Sequence, residues 1–60
     1  MLEYEFAEVY RDKTINIYHD EHGWFYYRVG SGISGKFSKK YGWRQDAIED
    51  AKKEIRGRKL

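Results

Sequence analysis

The chain has no cysteine, which excludes disulfides and thiolate metal sites and fits a reducing, cytoplasmic setting. It has no proline and a single methionine. No apolar run approaches the roughly 18 residues needed to span a bilayer. The opening Met1-Leu2-Glu3-Tyr4-Glu5 is acidic and alternating rather than basic then apolar, so neither a membrane partner nor a signal peptide is expected. Length is scarce as well. With 60 residues there is one domain at most, residues 1–60, and such a chain buries only about 60% of its unfolded surface. Catalytic signatures are equally thin. The two histidines lie in one turn, no serine signature appears, and so short a domain has little volume for a water-excluding pocket. The expectation is a protein that is not an enzyme and carries no cofactor.

Aromatics are what the chain has in quantity: six Tyr, three Phe and two Trp. Large rings let a small domain build a core from few residues. Eleven of them exceed what one small core needs, so some are expected on the surface, where they serve a partner. Charge is unevenly placed. Residues 1–30 hold six acidic side chains against three basic ones, and residues 31–60 hold nine basic against four acidic. A basic half points mildly to an anionic partner.

Period separates the elements. Leu2-Glu3-Tyr4-Glu5-Phe6 alternates like a half-buried strand, which continues less cleanly to Tyr10, giving a strand over residues 2–10. After the polar break Arg11-Asp12-Lys13, a β-branched alternation predicts a strand over 14–19. Asp20-Glu21-His22-Gly23 reads as a turn, and 24–29 is the strongest strand in the chain. A glycine-rich connection leads to a shorter basic strand over 36–41. The period then becomes helical over residues 43–56, with Ala47, Ile48, Ala51 and Ile55 on one face and Gly57 placed to end the helix. The expected fold is α+β: a small antiparallel three- or four-stranded β-meander packed against one C-terminal α-helix.

Within that fold, Ile15, Ile17, Phe25, Tyr27, Val29, Phe37 and Tyr41 form the inward set. The opposite face then carries Tyr18, Trp24, Tyr26, Arg28, Lys36, Ser38 and Lys40. Rings and cations on one face suit nucleic acid, because cations neutralise phosphate while rings stack on exposed bases. A sheet can also enter a major groove, where Arg28 would reach guanine. These seven residues are the candidate nucleic-acid-binding site.

Two shorter motifs read as ordinary turns. Gly30-Ser31-Gly32-Ile33-Ser34-Gly35-Lys36 matches the spacing of a phosphate-binding loop, but Phe37 stands where the magnesium-binding hydroxyl is required. His19-Asp20-Glu21-His22 offers four donors that cannot easily converge on one ion from consecutive positions, so no metal is expected.

The order Gly23-Trp24, Arg28-Val29, Gly35-Lys36, Tyr41-Gly42 and Asp46-Ala47-Ile48 with Ala51-Lys52 resembles the three-strand-plus-helix pattern of AP2-type DNA-binding domains. That family includes the N-terminal arm-binding domains of phage integrases. The resemblance covers residues 14–56. It implies a sheet lying in the major groove, with Trp24, Tyr26, Arg28, Lys36 and Lys40 as contacts. The acidic first strand departs from that pattern and would oppose phosphate if it lay nearby. The same cadence resembles YegP-like domains. Asp20 to Trp24 with Asp46 to Ala51 also resembles HicB-type antitoxins, which implies a protein partner.

The expectation is therefore a small non-catalytic nucleic-acid-binding module. The alternative is a protein–protein interaction module or homodimer, of phage or mobile-element type, joined through its aromatic face or through the edge at residues 36–41.

Overall fold

Strands β1 (Glu3–Tyr10) and β2 (Lys13–His19) form an antiparallel hairpin across the polar break. The computed structural model describes residues 1–30 and 36–57; all but Gly30 of the predicted glycine-rich connection over 30–35, and the tail from 58, lie outside the described residues. Tyr10 faces Lys13 across the two-residue turn Arg11-Asp12, whose φ values are both positive, 50° and 66°. Two positive φ angles make a type I′ turn, the one whose twist matches the flanking strands. Neither residue is glycine, so the turn carries some backbone strain.

Strand β3 (Phe25–Val29) pairs antiparallel with β2, and the sheet order is β1-β2-β3. The connecting turn is built on Asp20. One oxygen of its carboxylate accepts from the backbone N–H of His22 at 2.9 Å and of Trp24 at 3.0 Å. Gly23 supplies the left-handed φ of 87° that this turn needs. At the other end of β3, the Asn16 amide donates to the carbonyl of Gly30 at 2.9 Å.

The predicted fourth strand is only partly present. Phe25 and Tyr41 exchange both backbone hydrogen bonds, 2.8 and 2.9 Å. Tyr27, however, meets Ser38: its carbonyl accepts from the Ser38 N–H, and its own N–H donates to the Ser38 hydroxyl, each at 2.9 Å. Three steps along residues 38–41 thus face two along β3. The ladder breaks there, and this segment stays an extended rim with one isolated bridge.

The helix α1 (Arg44–Gly57) covers one face of the sheet. Gly57 is its last residue and not a left-handed cap after it. Ala47, Ile48, Ala51 and Ile55 are buried against Ile15, Ile17 and Tyr27. Phe6, Tyr10, Phe25, Val29 and Tyr41 pack around this cluster. Two alanines at the contact let helix and sheet approach closely. Two phenol–carboxylate bonds tie the seam: Tyr27 to Glu54 and Tyr41 to Asp50, both 2.8 Å. Among the described residues, no helix is long and apolar enough to cross a membrane.

Candidate nucleic-acid interface

Among the described residues, the helix lies on one side of the sheet, and the other face is covered only in part, where Phe37 packs over Tyr18 and Arg28. Its centre is a row of three tyrosines. Tyr4 on β1 pairs with Tyr18 on β2, which pairs with Tyr26 on β3. Neighbouring strands lie about 4.8 Å apart, so the three tyrosines occupy adjacent positions across the sheet. Tyr4 and Tyr18 meet edge to face at 5.7 Å, and Phe37 meets Tyr18 in the same way at 5.0 Å.

Tyr4 joins this face through a bulge. Tyr4 faces Tyr18 but Phe6 faces Ile17, so Glu5 is the extra residue. A bulge shifts the side-chain phase by one. Tyr4 and Phe6, two apart in sequence, therefore point to opposite faces, and the simple alternation read along 2–6 does not hold. Phe37 is likewise corrected. Predicted inward with Tyr41, it lies on the open face against Tyr18, because the irregular step at Ser38 shifts its phase.

Arg28 sits within this cluster. Its guanidinium carbon is 4.9 Å from the Phe37 ring centre and 5.5 Å from that of Tyr18. One terminal nitrogen donates to the Tyr18 hydroxyl at 3.0 Å, while Nε is buried without a hydrogen-bond partner. Tyr26 donates to the second oxygen of Asp20 at 2.9 Å. That bond, followed by partial desolvation, raises the Tyr26 pKa. Burial pushes the Asp20 carboxyl up, but the hydrogen bonds from Trp24, Tyr26 and His22 outweigh it, and the net shift is downward. The same acid shapes the turn and orients a ring of the face.

The remaining predicted contacts lie on the rim. Lys40 places its ammonium 4.5 Å from the Trp24 ring centre. Lys36 is exposed beside Phe37. Ser38 is committed to the strand edge: its hydroxyl accepts from Tyr27 N–H and donates to the Lys39 carbonyl at 2.7 Å. The structure thus brings Tyr18, Tyr26 and Arg28 into one cluster and Trp24 with Lys40 into another, while Ser38 faces the edge of β3.

Tyr4, Phe37 and Trp43 were not among the expected contacts. Tyr4 is 57% exposed, Phe37 43% and Trp43 73%. A helix starting at residue 43 would put Trp43 in line with Ala47 and Ala51. The helix begins at Arg44 instead, leaving Trp43 at the cap position, where its carbonyl accepts from Ala47 N–H.

The acids of β1 are turned away from this face. Glu5 lies 3.3 Å from Arg44 and 3.0 Å from Nδ1 of His19, and Glu8 lies 3.0 Å from Lys52, all on the helix side. Glu3 is 3.6 Å from His19. A recess of about 120 Å³ opens beside this pair, lined by Met1, Glu3, His19, Asp20 and Glu21. It is well below the roughly 300–1,000 Å³ of small-molecule pockets. No family model matches the chain, and no curated protein or solved structure matches it.

Proposed function

We propose that this chain is a small non-catalytic nucleic-acid-binding module that works through the open face of its sheet. One observation carries the reading: rings and cations share the sheet face opposite the helix, while the nearest glutamates are held on the helix side. Tyr4, Tyr18, Tyr26 and Phe37 supply aromatic surface, and Trp24 extends it. Lys36 and Lys40 are exposed along the adjoining rim. Rings stack on bases whatever their sequence, and lysines neutralise phosphate. Pairing of Glu5 with Arg44 and of Glu8 with Lys52 removes the repulsion that an acidic first strand would otherwise set against a polyanion.

In this reading Arg28 is less a free reader of bases than the post that holds Phe37 and Tyr18 in place. Arg28→Ala weakens binding by loosening those rings, and Lys36→Ala or Lys40→Ala weakens it through charge. Fluorescence anisotropy with labelled oligonucleotides at low and moderate salt tests this. Micromolar or tighter binding that falls steeply with salt is expected. Binding that is unchanged in all three variants refutes the assignment of residues.

A protein partner is the second reading, favoured by exposed apolar side chains on β1: Tyr4 and Val9 share the open face next to the free strand edge. That assembly would depend on Tyr4 and Val9 and be nearly insensitive to salt.

A further inference from the structure

We infer that the ligand is a single strand, its bases laid across the tyrosine row and its phosphates along the lysine rim, and not a duplex read in its groove. This rests on the nucleic-acid reading above.

Groove reading needs side chains that project from the sheet with free donors. The cation within this face is Arg28, and it does not project in that way. Its guanidinium lies beside the Tyr18 and Phe37 rings, and one of its amines is already bonded to the Tyr18 hydroxyl. What stands exposed on or beside the face is mainly ring surface, Tyr4, Phe37 and Trp24, with Val9 toward the end of β1. Rings are useless against stacked, paired bases and effective against unpaired ones, whose faces are open.

Charge makes the same choice. A duplex presents two phosphate chains and calls for cations on both flanks of the docking face. Here they line one flank. Lys36 and Lys40 lie on the segment that runs beside β3. Lys40 lies 4.5 Å from the Trp24 ring centre, a contact that leaves its ammonium donors for phosphate, whereas Lys39 is turned to the helix side, 5.5 Å from the core-packed Tyr41 ring. Across the sheet, the open-face residues of β1 are Tyr4, Ala7 and Val9, all uncharged. One charged rim beside an aromatic platform is complementary to one backbone with its bases turned inward.

The test is a comparison of labelled single strands of about 12 nucleotides, DNA and RNA, with the corresponding DNA and RNA duplexes, on the full chain at one salt concentration; this length falls within the roughly 4–16 nucleotides that small single-strand-binding folds cover. The single strand of at least one sugar type should bind at least tenfold more tightly than its duplex. Tyr4→Ala and Phe37→Ala should each cost about tenfold on the single strand, the loss expected for one stacked base. Phe37→Leu keeps apolar bulk while removing the ring, so a loss there is separate from a loss of fold, which far-ultraviolet circular dichroism monitors. A preference below tenfold, or a tighter duplex, overturns this inference and leaves the broader reading standing. Single-strand binding that is indifferent to Tyr4→Ala, Phe37→Ala and Phe37→Leu overturns the stacking geometry. Binding of neither form at low salt overturns both.

Discussion

Replacing Tyr27 by phenylalanine removes one hydroxyl from the seam between sheet and helix, and its effect should change sign with pH. Tyr27 is buried, and its phenol donates to Glu54 at 2.8 Å. At neutral pH the variant loses a hydrogen bond to a carboxylate that is itself exposed and rehydrates, a cost of about 1 kcal/mol. In alkali the balance reverses. Burial, then the bond and charge of Glu54, hold the Tyr27 proton far above the ordinary value of 10.0. Below pH 10 the folded and unfolded chains both keep that proton. Above it the unfolded chain releases the proton and the folded one does not, so the wild type loses about 1.4 kcal/mol per pH unit from this group. At pH 11.5 the loss is about 2 kcal/mol, against a total of about 3–9 kcal/mol for a domain of this size. Tyr41, held up to about 12 by burial and Asp50, adds to the loss in the same direction. The variant escapes the Tyr27 share. Urea unfolding followed by circular dichroism from pH 7 to 11.5 should therefore give stability curves that cross about one unit above pH 10. The Lys52–Glu8 pair weakens over the same range but does so in both proteins. Parallel curves would show that the Tyr27 proton is not retained by the fold, and would refute the reasoning.

Three further outcomes follow from the same structure. Ile17→Ala or Ile48→Ala should cost about 2–5 kcal/mol, a large share of the total stability, read as a strong downward shift of the urea midpoint, because both side chains lie in the only packed layer among the described residues. Asp12→Gly should raise the urea midpoint by an amount equivalent to about 0.5–1 kcal/mol, since glycine takes the 66° φ of this turn without strain. The double variant with Lys36 and Lys40 changed to alanine should flatten the logarithmic dependence of single-strand affinity on salt by about 1.4, the share of two neutralised phosphates.

What could be read from the residues alone was whatever a clean period encodes. The helix face of Ala47, Ile48, Ala51 and Ile55 is buried as its spacing implies, and the inward phase of Ile15, Ile17 and Tyr27 was equally legible. The open face was legible where β2 and β3 run without interruption, at Tyr18, Tyr26 and Arg28. It failed at two local events that shift phase by a single residue. The bulge at Glu5 sends Tyr4 to the open face, and the Ser38 hydroxyl, standing in for a backbone carbonyl, lets Phe37 follow. Alternation of apolar and polar residues carries no mark of either, because each is decided by backbone hydrogen bonding and not by side-chain polarity. Trp43 was obscured by a helix boundary one residue off. The pairing of Glu5 and Glu8 with helix cations involves partners more than thirty positions away and has no local signal.

The most direct test of the open-face account is a nuclear magnetic resonance titration of the isotope-labelled chain with an unlabelled single-stranded oligonucleotide. Shift changes should concentrate on Tyr4, Tyr18, Tyr26, Arg28 and Phe37, with Lys36 and Lys40 following, while Ala47, Ala51 and Ile55 on the helix stay still. Changes centred on the helix, or none at saturating oligonucleotide, would contradict it.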